Sequence, residues 1–596
     1  MATCAIIEPV RRTIPKPPAP LARSRMFDVA LLTLVVVAIY FVRLPDLTIR
    51  GEESRRARVA CEMIETGDWI VPRQQHQIYL SRPPLGSWPI ALLGIMRGEV
   101  DIVAVRLPTV MAVLLTTLLV YGYAQTFLTR TAALAAALGF ATMGQVLEIG
   151  RLAETEGVFT MLVSGSLLVW HWGYLQAERR RDACTTTHGR RDACTTIAWY
   201  WIAGYALAAL AGLAKGPQGP VYFAAPVLVY LWLRRDLRAL ATCGHLLGVG
   251  TFLLVLGAWQ VPYYLRTDWQ CCCGIWWNNA AERFAETSPM VLAEHMAKYP
   301  LEIFACTAPW SLWLLAYINP RFRAQLGTAR THAHFLGIVL AVTFPSVWFA
   351  AGAKTRYFMP LYPAAALLAA IVIERSVRSS VAFERNRWRH FMWFMAGVGA
   401  CAAAVVALGT WGNVKALMPI GQQPAFADLF IVIAIAASFL LVALERSRSV
   451  QSIRASLLLV ALLLGFTYAG PLLNAEVKSA VDTAAATAEL QKILPPAAKL
   501  VSLNQVNHLF AYHWRQPIPA RSWQSGDISE LAPGEYFCFD ERPGSPKRLP
   551  PECQRIATIS LDRNQLPSSP QNTVVVCRVL PLDSGRVSQA GYTQTR

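Results

Sequence analysis

The sequence predicts an α-helical polytopic membrane protein of about thirteen transmembrane helices with a small C-terminal extracytoplasmic α/β domain. Three observations predict it. Of 596 residues, 54% are hydrophobic and only 15% charged, a balance seldom met in soluble domains. Many apolar runs approach the length that a helix needs to cross a hydrocarbon core. The net charge of +18 sits in short Lys and Arg clusters between those runs. That is a topology signal rather than the continuous basic face of a nucleic-acid binder, so no nucleic-acid partner is expected.

The expected spans lie near 26–43, 103–127, 131–148, 157–175, 198–214, 219–233, 240–262, 303–318, 334–351, 357–374, 390–410, 427–444 and 454–473. The first run, FDVALLTLVVVAIYFV, is long for a signal-peptide core and no small-residue cleavage site follows it, so it is expected to stay as an anchor. With a cytoplasmic N-terminal tail (1–25), the cations of that tail, of ERRRDACTTTHGRRD, RRDLR, NPRFRAQLGTAR, ERSVRSSVAFERNRWR and ERSRSVQSIR all fall inside. The membrane domain then covers 26–473, with outer loops at 44–87 and 263–302. The remainder, 474–596, turns polar: AVDTAAATAELQKILPP reads as a helix, and KLVSLN, EYFCFD, RIATISL and NTVVVCRVL read as strands. That tail carries no nucleophile motif or phosphate loop and is expected to pack over the outer face.

One segment breaks the charge rule. The loop 44–87 holds Arg50, Arg55, Arg56, Arg58, Arg73 and Arg82 on the face that should be poor in arginine, with Glu52 and Glu53 among them. A bound anion is the physical reason such charge would be kept there. Glu154 and Glu156 in GRLAETEGVF, Lys215 in LAKGPQGP, His295 in AEHMAKYP, and Lys354 with Arg356 in AKTRYFMPLYP are placed on the same face. A lone arginine at a helix end usually only snorkels to the headgroups, and a loop histidine usually has no role. The convergence of acids and bases from five loops is what points to a site.

These residues carry a resemblance. GEESRRARVACEMIETGDWIVPRQQHQIYLSRPPLGSWPIALLG, AVRLP, GRLAETEG, LAKGPQG and KTRYFMPLYP resemble, in the same order, motifs of the bacterial membrane glycosyltransferases related to aminoarabinose lipid A transferase and protein O-mannosyltransferases. The match spans roughly residues 26 to 375. The resemblance implies a type C glycosyltransferase that moves a sugar from a polyprenyl-phosphate donor to a lipid A, cell-envelope glycan or protein acceptor on the outer face of the inner membrane, with inversion. The implied partners are the lipid bilayer, that donor and that acceptor. The implied catalytic residues are Glu52, Glu53 and Glu156; the donor phosphate falls to Arg55, Arg82, Lys215, Lys354, Arg356 and Tyr357; Arg151, Glu154 and His295 are accessory candidates. The residue types suit the chemistry: a carboxylate to take or orient the acceptor's proton, and cations aimed at a phosphate whose charge grows as it leaves.

Two departures stand out. Glu52 and Glu156 occupy positions where the family usually has Asp, and charge is kept at both. In YLSRPPL, Ser81 stands where some relatives place a metal-binding acid and Arg82 replaces a lysine. No cofactor and no structural metal are therefore expected, since serine is a poor lone ligand and His295 has no sequence partner for a zinc site. Many apolar helices with charged edges would also describe a multi-pass transporter or flippase, whose sites lie near the bilayer midplane between matching halves; no such halves are visible. Cys271, Cys272 and Cys273 lack metal-knuckle spacing, and Cys538, Cys553 and Cys577 lie where a disulfide is allowed without spacing to choose the pair. RRDACTTTHG at 180–189 is followed by RRDACTTIAW at 190–199, a near-duplication expected to be a tolerated loop extension.

Overall fold

A backbone that leaves water must satisfy its own hydrogen bonds, so apolar runs of this length close into helices. The computed structural model describes residues 20–183, 187–281, 288–378, 382–412, 414–421, 424–480, 482–496, 498–521, 531–541, 553–561 and 573–580. Most of the cytoplasmic tail expected at 1–25, and the side chains of most of the duplicated segment, lie outside the described residues. Among the described residues, nine helical stretches are long and apolar enough to cross a membrane, from Ser24–Phe41 to the one that begins at Val450. Arg130–Ala141 and Gln218–Leu233 are apolar but shorter, and the span expected at 198–214 is the second half of the helix Thr187–Lys215. At 303–318 the chain differs from a single span: one helix runs Pro289–Cys306 and a 3-10 helix follows at Trp310–Ile318.

Neither of the segments expected as outer loops is irregular. In 44–87 the helix Glu53–Thr66 is followed by a short hairpin, with Arg73 paired to Ile78 and Gln74 to Gln77. That helix stops at Gly67, where φ of 70° lets its N–H return to Met63 O at 3.0 Å. In 263–302 the helices Trp269–Ala281 and Pro289–Cys306 form, the second started by Ser288, whose side chain accepts from Val291 N, with proline at the first position.

The helix Thr155–Ala183 runs through the bundle. Gly157 lets it approach the helix Ile102–Ala124 closely, since a Cβ there would stand 2.4 Å from Thr109 Cγ2. The tail forms one five-stranded sheet in the spatial order 520–521, 500–503, 536–540, 573–579, 553–560. Leu500–Leu503 pairs in parallel with both neighbours, and the remaining pairs are antiparallel. The four strands and the helix Thr483–Ile493 expected from the sequence are present; the helix His508–Trp514 and the short strand Ala520–Arg521 were not foreseen. Cys538 and Cys577 are free thiols.

His508–Trp514 docks the tail on the bundle. Leu509 and Tyr512 share an apolar core with Ala57, Ala60, Ile90 and Val105. Around it, His508 Nδ1 lies 2.7 Å from Ser54 Oγ, Gln75 donates to Val506 O at 2.8 Å, and Tyr512 donates to Val100 O at 2.9 Å.

Candidate active site

Two helix ends meet at one end of the bundle. Glu156 opens the helix Thr155–Ala183 and Lys215 closes the helix Thr187–Lys215, each at the end of the helix dipole that favours its charge. Gly216, at φ 80°, turns the chain directly after the lysine. Both side chains are fully buried, and Lys215 Nζ donates to Glu156 Oε1 at 2.9 Å. The ammonium also lies 4.4 Å from the Tyr357 ring centroid and 5.1 Å from that of Phe159, close enough for both π faces to stabilise it. Arg356 bridges the acids of the motif: Nη1 donates to Glu154 Oε1 at 2.9 Å, and Nε lies 3.6 Å from Glu156 Oε1. Arg56 approaches Glu154 Oε2 at 3.2 Å from the other side while donating to Thr155 Oγ1 and Ala153 O.

Glu52 stands in front of this cluster. It precedes the helix Glu53–Thr66, stays partly exposed, and accepts from Arg55 Nη1 at 2.9 Å. Burial pushes its carboxyl up, but Arg55, Arg56 and Arg82 outweigh burial and hold it down to about 2. Arg82 Nη1 and Glu156 Oε2 are buried without a hydrogen-bond partner among the described residues. Orphaned polar atoms of this kind are rare in a finished core and mark where a ligand would complete the bonding. Five cations (Arg55, Arg56, Arg82, Lys215, Arg356) face three carboxylates (Glu52, Glu154, Glu156). The surplus is positive, as a phosphate requires.

The other candidates stand apart from this centre. Glu53, grouped with the catalytic carboxylates on sequence, is wholly buried and fully occupied. Arg106 Nε and Nη2 grip its two oxygens at 2.8 Å, Ala153 N donates at 2.8 Å and Arg50 N at 3.2 Å. Burial would raise its carboxyl, yet the Arg106 guanidinium and these N–H groups hold it below the usual range. It braces the loop against the bundle and has no oxygen left for a substrate. Arg151 likewise donates to Val42 O at 2.7 Å at the end of the first span. His295 lies 3.1 Å from Val347 O and packs on Tyr299. Lys354 is exposed at the rim, where its carbonyl accepts from Tyr299 at 3.3 Å.

Three participants were not among the sequence candidates. Arg56 and Arg106 had a readable signal, Arg106 being the lone charge inside an apolar run. His508 had none, because only the docked tail brings it 2.7 Å from Ser54. Burial, with Arg55 and Arg56 nearby, pushes its imidazole down to about 3 against a weaker opposing pull from Glu52, so the ring is neutral. Among the described residues no three His, Cys, Asp or Glu side chains group as a metal site.

A family model described as dolichyl-phosphate-mannose-protein mannosyltransferase matches residues 81–182. An undecaprenyl phosphate-alpha-4-amino-4-deoxy-L-arabinose arabinosyl transferase of Pseudomonas aeruginosa (strain UCBPP-PA14) is 27% identical over 419 residues, covering 68% of this chain and 69% of its own length. The protein of that name from Edwardsiella ictaluri is 26% identical over 392 residues, covering 64% and 65%. The fold is similar to that of crystal structures of ArnT from Cupriavidus metallidurans. The form bound to undecaprenyl phosphate gives a TM-score of 0.66 and the apo form 0.67, each at 18% identity and covering 94% of this chain. The alignment takes in 99% and 100% of those chains.

Proposed function

We propose that the chain is one of the type C membrane glycosyltransferases related to the aminoarabinose transferases and protein O-mannosyltransferases, and that it transfers a sugar from an undecaprenyl-phosphate donor to a hydroxyl-bearing or phosphate-bearing acceptor on the outer face of the inner membrane. The names of its relatives favour a pentose related to 4-amino-4-deoxy-arabinose. The observation that carries the reading is the buried Glu156–Lys215–Arg356 cluster with Arg82 Nη1 unsatisfied beside it.

The acceptor oxygen attacks the anomeric carbon as the bond from that carbon to the phosphate oxygen breaks, and a single displacement inverts the centre. The donor phosphate lies against Arg82, Lys215 and Arg356 and leaves as polyprenyl phosphate, its growing charge met by cations already in place. Glu156 and Glu154 hold Lys215 and Arg356 in position. Glu52, the exposed carboxylate of the cluster, orients the acceptor group. A carboxylate with a pKa of about 2 is a weak base at rest, so it accepts the proton only as bond formation makes the acceptor more acidic. Arg55, Tyr357 and Lys354 line the approach. The cations supply the field that a metal would, so the reaction is proposed to need none. In this orientation the N-terminus is cytoplasmic and the C-terminal domain extracytoplasmic.

The test uses purified protein in lipid with a panel of labelled polyprenyl-phosphate sugars, run beside Glu52→Gln. Transfer by the wild type from one of these donors, abolished in the variant, is the expected result. No sugar release from any donor would remove the reading.

A further inference from the structure

At the end of the bundle away from the site lies a second basic cavity that the transfer reaction does not use. The helix Thr155–Ala183 starts at the Glu156 cluster, and Glu178 lies six turns along it, roughly 30 Å away. The helix Gln218–Leu233 likewise starts beside Lys215 and is followed by Arg234. There, a cavity of about 580 Å3 opens between Tyr230, Arg234, Tyr317, Arg323, Arg330 and His334. That volume is in the range of sites that hold a small ligand or headgroup.

Its construction is two-sided. Arg234 is ion-paired to Glu178, whereas Arg323 and Arg330 make no ion pair with a described carboxylate and stand exposed at the rim. Deeper in, Gly337, Ile338 and Ala341 form an apolar wall on the span Gly327–Trp348. The floor carries the buried hydroxyl of Tyr230, fixed 3.2 Å from His171 Nε2, which is itself tied to Tyr123. Cations at the membrane surface above an apolar wall match one chemistry: a phosphodiester headgroup whose acyl chains continue along the wall. We infer that this cavity binds the headgroup of an anionic phospholipid in the leaflet opposite the sugar-donor site. A free anion would have no use for the apolar half, and a neutral lipid none for Arg323 and Arg330.

The experiment is native mass spectrometry of the full chain released from nanodiscs of phosphatidylglycerol, of phosphatidylcholine, or of their mixture. Wild type is expected to retain phosphatidylglycerol selectively. Arg323→Gln with Arg330→Gln should lower the retained fraction about tenfold. Gly337→Leu fills the wall without touching charge, because a Cβ added there would meet nothing within 4 Å, and should also release the lipid. Both variants should keep sugar-transfer turnover, which separates a failure here from a failure of the transferase reading and shows that they fold. Equal retention of both lipids, unchanged retention in both variants, or displacement of the lipid by inorganic phosphate alone would each overturn the inference.

Discussion

Two adjacent glutamates do different work because one is the first residue of a helix and the other is the residue before it. Glu53 turns inward to Arg106 and Glu52 outward to Arg55. Glu52→Gln should therefore lower turnover by roughly two to four orders of magnitude with the donor KM little changed, measured as transfer in lipid. Arg106→Met should instead act on the fold. It leaves the Glu53 carboxylate buried and unpaired, a loss of about 3–5 kcal/mol that a drop in melting temperature would register, and adding Glu53→Gln should recover part of it. An Arg106→Met protein of unchanged stability would show that the pair is no brace. Sequence singled out the carboxylate pair but had no means of dividing their roles, since burial and the partners of each oxygen are properties of the folded chain.

Single elements carry their own expectations. The neutral His508 ring sits where the tail helix meets the loop helix, its folded pKa of about 3 lying below the ordinary value near 6.5. A depressed value means docking is fully stable above pH 6.5 and weakens as pH falls from there towards 3, when the ring must take a proton among Arg55 and Arg56. Protease protection of the tail should follow that curve, and His508→Asn should flatten it; a pH-independent pattern in the wild type would count against the assignment. The duplicated decapeptide is not the loop extension expected from the sequence: its first copy begins in the last turn of the helix Thr155–Ala183 and its second, 190–199, lies within the helix Thr187–Lys215, at the end far from Glu156. Removing one copy shortens the helices at that end and should leave turnover within about twofold, since the site lies at their other end.

Across the whole molecule, charge is sorted to the two ends of the bundle: a closed acid and base cluster at one, an open basic cavity at the other. If the cations around Glu156 replace a metal, exhaustive chelation should leave transfer unchanged, and recovery of lost activity by added Mg2+ or Mn2+ would refute that. The membrane class, the strands of the tail and the convergence of Glu52, Glu156, Lys215 and Arg356 were determined by sequence, because hydropathy, alternation and motif order are local properties, whereas against the thirteen expected spans nine described stretches are long and apolar enough to cross. Tertiary structure decided the rest. The division of 303–318, the helical nature of both outer segments, the brace made by Arg106 and the arrival of His508 from 454 residues away depend on which elements pack together. Packing is a property of pairs of distant segments that a single stretch of residues does not encode.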